Sequence, residues 1–99
     1  MVTEESDRII FLLKQYKRQF ADQYGIVALG VFGSVARREM QGDSDVDVVI
    51  KIIHPNIVTL SRIRLEIEEL ISKHVDIVHY REKMNTLLKE RIDKDTIYV

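Results

Sequence analysis

The residues that could do chemistry crowd into one run, GSVARREMQGDSDVDVVI, from Gly33 to Ile50. Asp43, Asp45 and Asp47 sit on alternate positions at the mouth of an apolar segment. On a strand, residues two apart point to the same face, roughly 6.5–7 Å apart at Cα, so Asp45 and Asp47 present their carboxylates side by side. Like charges that close repel unless a cation or a partner intervenes. A further aspartate, Asp76, stands inside the apolar run VDIV, and a charge in such a setting needs a partner or a metal. If the strands holding Asp47 and Asp76 are neighbours, three carboxylates converge. Hard oxygen donors of this kind suit Mg²⁺, which keeps waters and completes its shell with substrate phosphates. A two-ion site could serve both the attacking and the leaving oxygen of a phosphoryl displacement. Alone, Asp45 and Asp47 equally fit an exposed strand face, and Asp43 fits a turn.

At the other end of the run, Gly33 lets a phosphate approach the backbone closely. Ser34 offers a hydroxyl and opens a segment, SVARRE, that could form a short helix whose first N–H groups favour anions. Arg37 and Arg38 follow one turn later, within reach of a phosphate. Gly-Ser by itself occurs in any turn. Its spacing to the aspartates is what gives it meaning, a phosphate cradle beside a metal site.

The elements that must position these groups alternate along the chain. The segment from Thr3 to Gly25 reads as an amphipathic helix, with Ile9, Leu13, Tyr16 and Phe20 on one side. Thr3 is the expected N-cap and Gly25 the left-handed residue that ends it. IVALGVF, from Ile26 to Phe32, is a buried strand. A second strand runs from Asp45 to about Ile53, with Val46, Val48, Ile50 and Ile52 facing one way and Asp45, Asp47, Val49 and Lys51 the other. The HPN break at His54–Asn56 leads to a second helix with an apolar stripe of Leu60, Ile63, Ile67, Leu70 and Ile71. VDIVH forms a third strand, and the segment from Arg81 to Asp93 a third helix with Leu87, Leu88 and Ile92 inward. TIYV closes the chain as a short strand or tail. This order predicts an α/β layer fold with helices packed on one small sheet.

Composition narrows the function. Residues 1–99 are expected to form a single domain, with 45% apolar and 31% charged residues. No run approaches the length needed to span a membrane, the N-terminus has no secretory pattern, and cysteine is absent. A cytoplasmic setting is therefore the expectation. Fifteen basic and sixteen acidic residues give a net charge of −1, which argues against an extended nucleic-acid groove. His54, His74 and His79 lack metal-ligand spacing and are expected at the surface or at helix ends. Tyr16, Phe20 and Tyr24 are expected in the core.

Taken together, Gly33, Ser34, Ala36 and Arg37, followed by Ser44, Asp45 and Asp47, resemble the signature of the DNA polymerase beta-like nucleotidyltransferase superfamily. The likeness is strongest to its minimal nucleotidyltransferase (MNT-type) branch, with the pattern G-S-x-A-R-G, then S-D-x-D. HVDIV resembles the branch's third-carboxylate strand. The resemblance implies a nucleotidyltransferase fold, a small mixed sheet with helices packed on one face, and transfer of a nucleoside monophosphate, AMP if the substrate is ATP. It implies that Asp45, Asp47 and Asp76 are catalytic and hold two Mg²⁺ ions. It also implies that Gly33, Ser34, Arg37 and Ser44 bind the nucleotide. One position departs: the pattern has glycine where this chain has Arg38. If that glycine takes positive φ, arginine is strained there; it could also add a phosphate contact.

Residues 1–99 contain no second domain to hold an acceptor, so the acceptor surface is expected on another chain. The branch implies a helical HEPN-type toxin as partner, with AMP moved onto one of its tyrosines by an adenylyltransferase antitoxin. Two other readings remain open: a non-catalytic module that neutralises its partner by occlusion, and nucleotidyl transfer to a small molecule or an RNA end.

Overall fold

The structure, a computed structural model, describes residues 2–42 and 44–99, with side chains from Glu5 onward. Asp43 and its expected turn role lie outside the described residues. The elements follow the expected alternation: α1 (Val2–Tyr24), β1 (Ile26–Phe32), β2 (Val46–Ile52), α2 (Ile57–Ile71), β3 (Val75–His79), α3 (Thr86–Asp95) and β4 (Ile97–Tyr98). Helix α1 begins at Val2, which places Thr3 inside the first turn rather than before it. Gly25 ends the helix at φ +67°, as its position predicts. Asn56 caps α2 by accepting the Thr59 N–H at 2.9 Å, and Asn85 caps α3 by accepting the Leu88 N–H at 3.0 Å. That second cap explains why α3 starts at Thr86 rather than near Arg81.

The sheet is mixed, in the order β3-β2-β1-β4. Strands β1 and β2 are antiparallel, β2 and β3 parallel, and β4 runs antiparallel to β1. The 2.0-residue strand period sorts β2 cleanly. Val46, Val48, Ile50 and Ile52 enter a core shared with Ile9, Leu13 and Tyr16 of α1 and with Ile63, Ile67 and Ile71 of α2. Val49, on the opposite face, packs with Phe32 and with Ile92 of α3 in a second, smaller cluster.

The expectation of helices on one face thus holds for α1 and α2 and is corrected for α3, which lies against the other face. Val49 supplies the reason: a fully buried valine among polar neighbours needs a cover, and the apolar side of α3 provides it. Leu70 and Leu87, expected inside, are exposed instead. Each stands next to a residue that takes the inward position, Ile71 and Leu88.

Candidate active site

Strand register gathers the acidic residues at one rim. Phe32 pairs with Asp47 across β1–β2, and Asp47 pairs with Asp76 across β2–β3. Neighbouring strands lie about 4.8 Å apart, so Asp47 and Asp76 stand directly beside each other on the face away from α1 and α2. Asp45 precedes Asp47 by two residues, just before β2 begins. The expected neighbourhood of the Asp47 and Asp76 strands is therefore present, and in register.

Depth distinguishes the three. Asp47 is half-buried, whereas Asp45 and Asp76 are exposed. Asp76 was expected to be a buried charge. It is not, because β3 starts at the rim and strand parity turns Asp76 away from the core that holds Val75 and Ile77. The Asp47 carboxyl is pushed above the ordinary aspartate range, first by burial and then by the Asp76 charge, with Asp45 adding to it. Arg91 of α3 and Arg37 oppose that shift. Among the described residues, no three acidic or histidine side chains already stand close enough to enclose a metal ion. The donor chemistry nonetheless suits a hard divalent cation: adjacent carboxylates, one held uncomfortably in its charged form.

Gly33 forms the other wall. Its φ is +69°, and a Cβ built on it would collide with Oδ2 of Asp47. Backbone conformation and space both exclude a side chain, so the turn lies directly against the carboxylate. The segment after Gly33 is not a helix but a single turn closed by three hydrogen bonds. Arg37 N–H donates to the Gly33 carbonyl at 3.0 Å, Arg38 N–H to Val35 at 3.1 Å and Glu39 N–H to Ser34 at 2.8 Å. The last two form the paired 5→2 and 6→1 pattern that normally ends a helix with a left-handed residue. One turn fixes its dihedrals for little return, so the short stretch does not propagate. Buried Val35 and Met40 pin the turn and the following loop to the core. The turn's bonds use the N–H groups of Arg37, Arg38 and Glu39, and those of Ser34, Val35 and Ala36 lie outside them.

Arg38 occupies the left-handed position, with φ +58°. This conformation costs a residue other than glycine about 1–2 kcal/mol. Its guanidinium pairs with Asp7 of α1, and the two side chains are 42% and 60% exposed. An exposed pair of this kind returns about 0.2–1 kcal/mol, so the strain is not recovered in stability. Arg37 turns the other way, pairing with Glu39 at 3.2 Å and Asp95 of α3 at 3.4 Å. Ser44 shapes the loop: its Oγ accepts the Gln41 N–H at 3.0 Å, and its own N–H donates to Gln41 at 3.1 Å. Lys73 ties this loop down by donating to the Gly42 carbonyl at 2.8 Å.

The structure therefore brings together Gly33, Ser34, Asp45, Asp47 and Asp76, with Arg37 beside them. It adds Arg91, which the sequence reading missed. Arg91 belongs to a helix remote in sequence from the aspartates, and no spacing marks it.

Of the remaining candidates, His79 departs from its expected place at the surface or a helix end: it is half-buried at the end of β3, with Nε2 buried on the core side. His74 is exposed at the end of α2, 3.8 Å from Glu68, and the parity of β3 puts His79 on the face opposite Asp76. Tyr16 and Tyr24 both donate to Glu66, at 2.7 and 2.8 Å, with the Phe20 ring between theirs. Burial and the Glu66 charge push both phenols above their ordinary value, which marks a structural cluster behind the sheet.

Known proteins resemble this chain in sequence and in fold. The family described as Polymerase beta, Nucleotidyltransferase matches residues 14–99. An inferred protein adenylyltransferase of Methanocaldococcus jannaschii is 31% identical over 90 residues, covering 89% of this chain and 91% of that protein. Among solved structures, a toxin–antitoxin with AMP-PNP superposes with a TM-score of 0.73 at 15% identity, covering 86% of this chain and 69% of that one. A tri-AMPylated HEPN toxin of Shewanella oneidensis in complex with its MNT antitoxin gives 0.60 at 16% identity, covering 99% and 71%.

Proposed function

The chain belongs to the polymerase beta nucleotidyltransferase family, and from that premise we propose that it moves AMP from ATP onto a hydroxyl of a partner protein, acting as an antitoxin. The partner is a HEPN-type helical toxin and the acceptor a tyrosine hydroxyl. One observation carries the reading: Asp47 and Asp76 are paired in register, with the Gly33 turn packed directly against Asp47. Support for the acceptor class comes from the relative named as a protein adenylyltransferase and from the AMPylated toxin in the complex of similar fold.

The residues divide the work by position. Gly33 gives the β- and γ-phosphates room at the backbone, and the N–H groups after it, with the Ser34 hydroxyl, offer donors to their oxygens. Arg37 exchanges its exposed ion pairs for a phosphate oxygen, a stronger partner for a guanidinium. Ser44 holds the loop that delivers Asp45, and its hydroxyl hydrogen remains able to meet a phosphate. Asp45, Asp47 and Asp76 would hold Mg²⁺, two ions in full, which when bound supplies neutralisation of phosphate and carboxylate charge. Asp76, exposed at the rim, faces an incoming hydroxyl and helps draw off its proton. The hydroxyl oxygen bonds to the α-phosphorus, the bond to the bridging oxygen breaks, and pyrophosphate leaves. Most of the rate gain comes from positioning and charge.

A second reading, neutralisation by occlusion alone, draws on the exposed apolar side chains of α2, Ile57, Val58 and Leu65. These suit protein contact whether or not transfer occurs. Replacing Asp45 and Asp47 together with asparagine separates the two readings in a growth assay with the toxin. Loss of neutralisation supports transfer. Full neutralisation by the double variant overturns it in favour of occlusion.

A further inference from the structure

Two consecutive arginines leave the Gly33–Arg38 turn in opposite directions. Arg37 reaches Asp95 of α3, on the face that carries Asp47 and Asp76. Arg38 reaches Asp7 of α1, on the opposite face. The divergence follows from the left-handed backbone at Arg38, which swings its side chain away from the direction a continuing helix would give. The turn is thus strapped between helices on both sides of the sheet.

This matters because the turn has almost no slack against the site. Gly33 touches the Asp47 carboxylate so closely that no Cβ fits, and a small shift of the turn alters the space between the two. The backbone cost at Arg38 exceeds the return from an exposed ion pair. A residue kept in strain without a stability return points to function.

We propose that Arg38 is a positioning residue for nucleotide binding, holding the Gly33–Ser34 segment in place through its ion pair with Asp7. This rests on the reading of that segment as the triphosphate cradle. Arg38 acts through the turn, not by touching the nucleotide, and Asp7 is its required partner. Loss of either loosens the cradle and weakens binding of the nucleotide without loosening the fold.

The test measures calorimetric affinity for Mg²⁺·AMP-PNP and the thermal midpoint without ligand, on the full chain. The variants are Arg38→Gly, Asp7→Asn and the exchanged pair Arg38→Asp with Asp7→Arg. Arg38→Gly is expected to weaken binding about two- to fivefold, the range an exposed ion pair spans, with an unchanged or higher midpoint. Asp7→Asn is expected to weaken binding equally, and the exchanged pair to restore it. A merely structural role would lower midpoint and affinity together, and that result overturns the proposal. Parental affinity in Arg38→Gly or in Asp7→Asn, or no recovery in the exchanged pair, also overturns it. If the parent chain itself binds no nucleotide, the cradle reading fails, and this proposal with it; failure of the variants alone leaves the cradle standing.

Discussion

Strand β2 is two regions in one segment. Its even positions, Val46 to Ile52, are buried under α1 and α2 and carry stability. Its odd position Asp47, with Asp45 just ahead, sits at the rim and carries chemistry at a cost. The rim also contains both backbone anomalies of the site, Gly33 at φ +69° and Arg38 at φ +58°. One face is apolar, closed and unstrained; the other end is charged, open and strained. A small fold can be robust and reactive because these demands fall on opposite faces and are separated by a two-residue period. Stability and activity should therefore come apart under mutation.

The sharpest separation is expected at Asp47. Asp47→Asn should lower AMP transfer about a thousandfold, the loss of several kcal/mol of transition-state stabilisation, as read by single-turnover kinetics. Chelation of Mg²⁺ should have an effect of the same size on the parent.

The converse variant is Ile63→Ala, in the core between α2 and the sheet. It should destabilise by about 2–5 kcal/mol, read by urea unfolding, while the fraction that remains folded transfers AMP at the parental rate. A matching loss of rate in that fraction would mean the two regions are not independent.

Gly33→Ala lies on the boundary and should harm both. Strain at positive φ costs about 1–2 kcal/mol, and the methyl group displaces Asp47, so transfer should fall more than tenfold.

The smallest effect is a gain in stability. The Asp47 carboxyl is raised in the folded chain, so its favourable contribution is complete below the unfolded value and is lost as pH rises through the folded one. The thermal midpoint of metal-free Asp47→Asn should therefore exceed that of the parent at neutral pH. The gap should close as pH falls toward about 4. Glu68 runs the other way. The Val75 N–H at 2.8 Å holds its pKa below the ordinary value, so its contribution is lost as pH falls through that lowered value. Glu68→Gln should flatten the acid side of the same profile.

Much of this was legible beforehand because parity is visible in sequence. The alternation of Val46 to Ile52 against Asp45 and Asp47 fixed the faces of β2, and Gly33 announced a close approach. Parity does not reveal depth, so Asp76 was expected to be buried though it sits exposed at the strand's start. A six-residue stretch also does not show whether one turn will propagate, and the Ser34–Glu39 segment does not. The side of the sheet that α3 would take depended on Val49 needing a cover, a tertiary fact. Arg91 followed from that placement and could not be read without it. Arg38 was the one irregularity visible at both levels: out of pattern in the sequence, and left-handed in the fold.

The central claim is that the rim transfers AMP to a protein hydroxyl. The most direct measurement incubates the chain with α-labelled ATP, Mg²⁺ and a HEPN-type partner, and follows label onto the partner. Labelled partner is expected with the parent chain and none with the Asp45→Asn, Asp47→Asn variant. An unlabelled partner with Asp45, Asp47 and Asp76 all intact would contradict it.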